Sequence, residues 1–281
     1  DYRERFAKPV EMDREVSDDT LLTPHRRFFL LPVDLSHPQS LKDPVFELPG
    51  GDVWFEISEL AWDREGRHYG FMTWEREKGR LCIWVGEPGS GKKPRLLSRT
   101  EEVIGYKNTY SRNLCFSPDG RTLAAVMSNE KGFRQAFVFD LARGERRDLL
   151  PGASYESWSI LGFSGDSKRL FVLSDRENPA MSGVYAVSLS SGEMTAAGRL
   201  GGQNRGAVIS RNGTWLASNY GHFREWTELN VKRVNEQRHR VLTDSHDPGW
   251  KPIREAVVPE LFTYPNRHGD VIHGLVFRPD G

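Results

Sequence analysis

The sequence predicts an all-β protein, and within that class a β-propeller. Three observations lead to this prediction: a turn motif that recurs along the chain, short segments in which apolar and polar residues alternate, and a strand pattern that returns about every 45 residues. A four-stranded sheet with two apolar faces cannot bury either face alone. Stacking such sheets as the blades of a propeller covers both faces.

The recurring motif is clearest at Phe116-Ser117-Pro118-Asp119-Gly120, where an apolar strand runs into a polar turn. Apolar anchors at the corresponding positions are Leu22, Trp62, Phe116, Phe163 and Ile209, separated by 40, 54, 47 and 46 residues. The copy at Leu22 is the most degraded. We expect about five four-stranded blades, forming a small ring or part of a larger one, with each anchor buried between blades.

Each unit predicts four strands in the same order. The first strand leads into the motif and the second follows it. Copies of an alternating third strand are 80–85, 135–141, 183–189 and 228–234. Gly-containing turns such as Arg143-Gly144-Glu145 lead to short fourth strands, as at 146–150 and 239–243. A two-sheet sandwich also has many short strands, but it does not predict the recurring turn.

Composition narrows the function classes. The 281 residues carry 39 basic and 39 acidic side chains, so the formal net charge is zero, which argues against a nucleic-acid or anionic membrane partner. Cys82 and Cys115 are too few for a disulfide framework. The eight histidines show no metal-ligand spacing, so we expect no metal and no cofactor. The compartment stays open, with a slight preference for the cytoplasm.

One segment resembles the sequence motif of a phosphate-binding loop. Gly86-Glu87-Pro88-Gly89-Ser90-Gly91-Lys92-Lys93 matches G-x-x-x-x-G-K. The next residue of that motif must be Ser or Thr to hold magnesium, and a helix must follow. Lys93 occupies that position, and Pro94 restricts it to extended backbone. We expect a glycine-rich hairpin between the third and fourth strands here, without nucleotide binding.

The Phe-Ser-Pro-Asp-Gly units resemble the blades of the bacterial TolB propeller and of the prolyl oligopeptidase and dipeptidyl peptidase family of serine peptidases. The segment 258–279 is similar to the junction at which that family's propeller passes into its α/β-hydrolase domain. The resemblance implies three regions: 1–21 without an assigned role, 22–250 as propeller blades, and 251–281 as a linker with the first hairpin of the hydrolase domain. It also implies that the chain is part of a longer polypeptide.

In this family the serine nucleophile lies in a G-x-S-x-G elbow within the hydrolase domain. Gly162-Phe163-Ser164-Gly165 lacks that spacing and falls in a blade turn, so no catalytic residue is assigned to this chain. The resemblance does suggest a substrate-binding role for Glu101 and Glu102, because dipeptidyl peptidases hold the free amino terminus of a peptide with a pair of propeller carboxylates. The alternative interpretation of this pair is a solvated loop between blades.

Two functions follow from these observations. By resemblance, the chain is the non-catalytic propeller of a serine peptidase, and its partners are a peptide substrate and a downstream α/β-hydrolase domain. The alternative is a TolB-like propeller that serves as a protein-binding platform. This alternative explains the blades equally well, but it does not explain residues 259–279.

Overall fold

The computed structural model describes residues 29–30, 46–47, 55–75, 80–101, 114–223, 225–245 and 259–278. The chain divides into two compact units, Asp1–Glu56 and Ile57–Gly281. Strands are the regular elements throughout the described ranges, and no helix occurs in them. In the first unit, β1 (Phe29–Leu30) and β2 (Phe46–Glu47) form an antiparallel pair.

Four antiparallel sheets of four strands follow, each built from strands consecutive in sequence, and we name them blades A to D. Blade A contains β3 (Phe55–Trp62), β4 (Tyr69–Glu75), β5 (Arg80–Gly86) and β6 (Arg95–Glu101). Blade B contains β7 (Leu114–Phe116), β8 (Thr122–Ser128), β9 (Arg134–Asp140) and β10 (Arg146–Asp148). Blade C contains β11 (Ser157–Phe163), β12 (Arg169–Ser174), β13 (Gly183–Ser188) and β14 (Met194–Ala196). Blade D contains β15 (Gln203–Ile209), β16 (Trp215–His222), β17 (Glu225–Arg233) and β18 (His239–Val241).

This architecture confirms the predicted propeller fold. Four of the five expected anchors fall at the end of the first strand of a blade or directly beside it. The fifth anchor, Leu22, lies outside the described residues.

Hydrogen bonds explain why the turn motif recurs. In blade B, the Ser117 hydroxyl donates to Asp119 Oδ1 at 2.6 Å and accepts from the Thr122 N–H at 3.0 Å. Blade C repeats both bonds around Ser164, at 2.6 and 2.9 Å. In blade D, Ser210 donates to Asn212 Oδ1 at 2.8 Å. A small hydroxyl residue followed two positions later by Asp or Asn therefore ties the first strand of a blade to the second.

The fourth turn position requires left-handed backbone, which glycine adopts without strain. Gly120 has a φ of 69° and Gly213 a φ of 70°. In blade C this position is Ser167, the one non-glycine residue with positive φ among the described residues, at 58°. Its hydroxyl accepts a hydrogen bond from the Asp119 N–H of blade B at 3.3 Å, so the serine links two blades.

The core lies between successive blades. Alternation in the second strands sends Leu123 and Ala125 towards blade A, whereas Ala124 and Val126 face blade C. The middle blades thus bury both faces. Between blades B and C the cluster also includes Ile160, Phe163, Leu170, Val172, Tyr185 and Val187.

The expected burial of every anchor was wrong for Trp62. Phe116 and Phe163 are buried and Ile209 is partly buried, but the Trp62 side chain is 48% exposed. Each anchor faces the preceding blade. The neighbouring residue Ala61 packs towards blade B, so Trp62 points the other way, where no described blade lies. Trp215, the first residue of β16, is likewise 44% exposed, because its neighbour Leu216 is the residue that packs into the core towards blade C.

Beyond the blades, β19 (Glu260–Pro265) and β20 (Val271–Val276) form the expected hairpin. Its turn is closed by Asn266, whose Oδ1 accepts from the N–H groups of His268 at 2.8 Å and Asp270 at 2.9 Å. The rings of Phe262 and Tyr264 stack at 6.0 Å between centroids, and both are about half exposed.

Candidate functional site

The strand order gives the stack of blades two chemically different ends. Turns between first and second strands, and between third and fourth strands, lie at what we call the turn end. Turns between second and third strands, and the links from blade to blade, lie at the opposite connector end, whose described segments include 129–133, 149–156, 175–182, 197–202 and Phe223. The last strand of blade D also runs towards the connector end, where the chain leaves for β19.

Of the two sequence-predicted site residues, Glu101 belongs to the connector end by topology. Glu101 is the last residue of β6 and pairs in the ladder with Arg80. Only its backbone is described, and Glu102 lies outside the described residues. Whether the two carboxylates bind an ammonium group therefore stays a prediction.

An ion cluster that the sequence analysis did not anticipate links blades B and C at the connector end. Arg134 Nε donates to Glu156 Oε2 at 2.6 Å, and the Arg134 N–H donates to the same oxygen at 3.0 Å. The Glu156 N–H in turn donates to Asp175 Oδ1 at 2.7 Å. The Arg134 and Glu156 side chains are 24% and 17% exposed, so the pair is largely shielded from water. The cluster fixes two inter-strand segments relative to each other.

Burial changes the acidity of several groups here. It raises the pKa of Asp175, and the nearby Glu156 charge raises it further against the opposing hydrogen bond from the Glu156 N–H. Burial likewise raises the pKa of Asp148, and it raises the pKa of Tyr185 to about 12. At the turn end the pKa of Asp166 is lowered instead, because the Ser164 hydroxyl and the Lys168 N–H donate hydrogen bonds to its carboxylate.

Between blades C and D the connector end contains a buried polar network. The Asn204 side-chain amide donates to the carbonyls of Ser182 at 2.7 Å and Arg199 at 2.9 Å, and its oxygen accepts from Ser218 at 2.9 Å. Asn204 is 1% exposed. Beside it, Arg199 lies 4.2 Å from the ring centroid of Tyr220 and pairs with Glu225 at 2.8 Å. Several hydrogen bonds therefore hold the link into blade D, and the Asn204 side chain makes three of them.

A cavity of about 310 Å³ opens next to this network. Its walls come from three elements: the second-to-third-strand turn of blade C, the start of β15, and the turn that joins β16 to β17. Arg205 is its cation, and Met181 and Phe223 supply apolar surface. The cavity is large enough for one or two residues of a peptide, but not for a folded chain.

A second cavity, of about 500 Å³, lies at the turn end between blades C and D. Trp215 lines it, with the Arg233 guanidinium 5.1 Å from the ring centroid. Asp166 and Glu236 contribute carboxylates beside Arg169 and Arg233, so its charges balance. This mixed lining selects no particular sign of ligand charge.

The segment 86–93, whose sequence resembles a phosphate-binding loop, forms the predicted hairpin loop between β5 and β6. Gly89 and Gly91 have φ values of 75° and 68°, and the Ser90 hydroxyl donates to the Glu87 carbonyl at 2.8 Å. Strand β6 follows instead of a helix. Among the residues that the structure describes, no group of three or more potential metal ligands comes together, and no helix long and apolar enough to cross a membrane is found.

Comparison with known proteins agrees with this architecture. The family model described as the dipeptidyl peptidase IV N-terminal region matches residues 55–224, which covers blades A to C and the first two strands of blade D. None of the curated proteins matches the chain.

Solved structures with a similar fold include dipeptidyl peptidase 4 from Porphyromonas gingivalis, at 17% sequence identity and a TM-score of 0.69 over 89% of this chain and 34% of that one. Puromycin hydrolase aligns at 17% identity and a TM-score of 0.62, over 83% of this chain and 35% of that one. A serine-to-alanine mutant of puromycin hydrolase complexed with PGG aligns at 16% identity and a TM-score of 0.60, over 81% and 34%. These likenesses show the fold alone, and the chain spans about a third of each structure's length.

Proposed function

The chain belongs to the dipeptidyl peptidase IV N-terminal region family, and from this premise we propose that it is the non-catalytic propeller of a prolyl oligopeptidase-type serine peptidase. In this proposal the propeller controls the access of short peptides to a Ser-His-Asp hydrolase domain downstream of residue 281. The observation that carries the proposal is the presence, in one chain, of this family's blades with a hairpin behind them.

The surface of the hairpin supports a downstream domain. Leu261, Phe262, Tyr264, Val271 and Phe277 are between 44% and 62% exposed. An isolated two-stranded hairpin is at best marginally stable in water, and exposed apolar residues on such a hairpin favour packing against a further surface. We propose the boundaries expected from the sequence, with blades over 22–250 and a linker with the start of the hydrolase domain over 251–281.

The proposal makes the connector end the surface that meets the substrate. The last strand of blade D runs towards this end, and we propose that the domain following β19 and β20 lies on the same side. Glu101 lies at this end as well, and we propose that Glu101 and Glu102 hold the ammonium group of a peptide. Two adjacent carboxylates pair well with one ammonium, because charge-assisted hydrogen bonds are stronger than neutral ones.

A serine-directed probe tests the division between propeller and catalytic domain. Acyl transfer requires a nucleophile, a base and an oxyanion hole that act together. The 281-residue chain is expected to show no fluorophosphonate labelling and no cleavage of proline- or alanine-linked chromogenic peptides. A longer form that continues through the downstream domain should show both. Labelling of the 281-residue chain, or an inert longer form, contradicts the proposal.

The role of the glutamates is tested in that longer form. Glu101→Gln and Glu102→Gln should weaken cleavage of free-amine peptides by about tenfold or more, measured as kcat/KM, and leave N-acetylated peptides nearly unchanged. Glu145→Gln, in the turn between β9 and β10, is a matched control at the turn end. Equal losses on both kinds of substrate refute the role.

A further inference from the structure

The cavity of about 310 Å³ at the connector end contains one guanidinium, that of the solvent-exposed residue Arg205. Arg205 Nε and Nη2 donate to Gln203 Oε1 at 3.0 and 2.6 Å, and Gln203 Nε2 donates to the Ala180 carbonyl at 3.2 Å. This chain of hydrogen bonds ties Arg205 to the turn of blade C. It leaves Nη1 and the second hydrogen of Nη2 available as a fork for a ligand.

The strand ladders around Arg205 contain two irregularities of register. The ladder between β15 and β16 skips register between Arg205 and Val208, where Gly206 has a φ of 56°. The ladder between β16 and β17 is irregular between Tyr220 and His222. Bulges of this kind change the direction of side chains and are common beside binding sites.

The charge of the cavity has one sign. No carboxylate belongs to the described residues that line it, and Arg205 is their permanent cation. Glu225, at the start of the adjoining β17, is already paired with Arg199 at 2.8 Å. Phe223 and Met181 form the apolar part of the wall. The lining therefore favours a ligand that combines an anionic planar group with a small apolar group.

From these observations we propose that the cavity binds the terminal carboxylate of a short peptide through Arg205, with the last side chain of the peptide against Phe223 and Met181. A carboxylate matches the two parallel N–H bonds of a guanidinium edge. The volume admits the end of a peptide, and its position at the connector end coincides with the surface proposed to meet substrate. The inference rests on the proposed function in taking a peptide as the ligand, and it adds recognition of the end opposite the amino terminus.

Methionine methyl resonances give a direct test in the 281-residue chain, which contains five methionines. Met181 lines the cavity, whereas Met72 and Met127 are buried between blades A and B and serve as internal references. The probes are the tripeptide Gly-Pro-Leu with a free carboxylate and the same tripeptide as its C-terminal amide. We expect the free acid to shift the Met181 resonance and the amide to bind about tenfold more weakly or worse.

Variants of Arg205 distinguish the effect of the guanidinium geometry from the effect of its positive charge. Arg205→Gln should abolish the preference for the free acid, and Arg205→Lys should keep only part of it. Arg211→Gln makes the same charge change in the exposed β15–β16 turn and should leave the preference intact. A third peptide, Gly-Pro-Glu amide, distinguishes a side-chain carboxylate from the terminal one, and we expect it to bind like the Leu amide.

Equal binding of acid and amide, an unshifted Met181, or an equal loss in Arg211→Gln would overturn the assignment. The outcome is distinguishable from failure of the proposed function. If Met181 responds to the free acid but the longer form carries no reactive serine, the carboxylate site stands and the peptidase proposal fails. If the longer form is labelled and Met181 responds to neither peptide, the carboxylate site fails alone.

Discussion

The interface between blades B and C and the interface between blades C and D are built differently, although both join equivalent strands of the same repeat. Between B and C the contact is an apolar cluster that includes Phe163, Leu170 and Val172. Between C and D the apolar cluster is smaller, and Ser182, Asn204 and Ser218 form a buried polar network beside it. Both interfaces also contain polar contacts, but they differ in kind: the B–C interface adds a partly exposed ion cluster of Arg134, Glu156 and Asp175 to its larger apolar core, whereas the C–D network is uncharged and centred on the fully buried Asn204.

The B–C and C–D interfaces therefore have different structural roles. The B–C interface buries the larger apolar cluster, whereas the network through Asn204 holds the link at residues 199–202 with hydrogen bonds. The proposed carboxylate cavity lies directly beside that link. We infer that the more polar interface serves to hold the cavity wall in place, and that the apolar interface carries more of the stability.

The largest expected effect is in the apolar interface. Phe163→Ala removes a buried ring and should cost about 3–5 kcal/mol of unfolding free energy. Ile209→Ala changes the same repeat position in blade D, where the side chain is only partly buried, and should cost about 1–2 kcal/mol. Urea denaturation of both variants measures the difference. Equal costs would show that the two interfaces contribute alike.

The second prediction concerns the contact between the turns of blades C and D. A Cβ on Gly213, at φ 70°, would lie 2.7 Å from the Ser164 Cα. Gly66 has a similar φ of 71°, but a Cβ added there would meet no atom within 4 Å. Gly66→Ala should cost about 1–2 kcal/mol from backbone strain alone, and Gly213→Ala at least about 1 kcal/mol more. Equal midpoints of urea denaturation for Gly66→Ala and Gly213→Ala would mean that the turns of blades C and D can move apart at no cost in free energy.

The third prediction addresses the polar network. Asn204→Ala leaves the carbonyls of Ser182 and Arg199 and the Ser218 hydroxyl without this partner, and should cost about 2 kcal/mol. Ser218→Ala removes one bond and should cost about 1 kcal/mol. The double variant should cost less than the sum of the two single variants. Additive costs would contradict a coupled network.

The smallest effects depend on pH and differ in sign between the two ends. Because the folded-state pKa of Asp175 is raised, its contribution to stability is present at low pH and is lost as pH rises through that pKa. Asp175→Asn keeps an acceptor for the Glu156 N–H without the buried charge. The variant should be more stable than the parent at neutral pH, and the difference should shrink below pH 3.8, the ordinary pKa.

Asp166 at the turn end is the opposite case. Its pKa is lowered, so its contribution is present above the ordinary pKa and is lost as pH falls. Asp166→Asn should therefore be less stable than the parent at neutral pH and nearly equal to it in acid. Thermal melts across this pH range check both variants. The same sign for the two substitutions would contradict the assigned environments.

Much of the fold could be predicted because residues close together in the sequence form the contacts that define each repeat. Ser117 and Asp119 close their turn with local hydrogen bonds, so the turn is readable from adjacent residues. The continuous apolar run 123–127 likewise predicts a strand buried on both faces. The exposure of Trp62 could not be predicted, because it depends on which blade lies on the other side of its sheet and not on its own segment.

Less of the candidate site could be predicted from the sequence. The Arg134–Glu156 pair is 22 residues apart in sequence, and the Arg205 cavity joins residues from three separate elements. Neither arrangement has a motif. One signal was available: Gly206 within an otherwise strand-like segment is typical of a bulge, and bulges often lie next to binding sites. Glu101 and Glu102 were suggested by resemblance, and their role stays a prediction.

Photo-crosslinking tests most directly whether the connector end meets peptides. A short peptide with a free amino terminus, a free carboxylate and a central diazirine residue is bound to the 281-residue chain, irradiated, and mapped by mass spectrometry. The account predicts adducts within 129–134, 175–182 and 199–205, and few within 117–121, 164–169 and 210–215 at the turn end. Adducts concentrated at the turn end, or spread evenly over both ends, would contradict it.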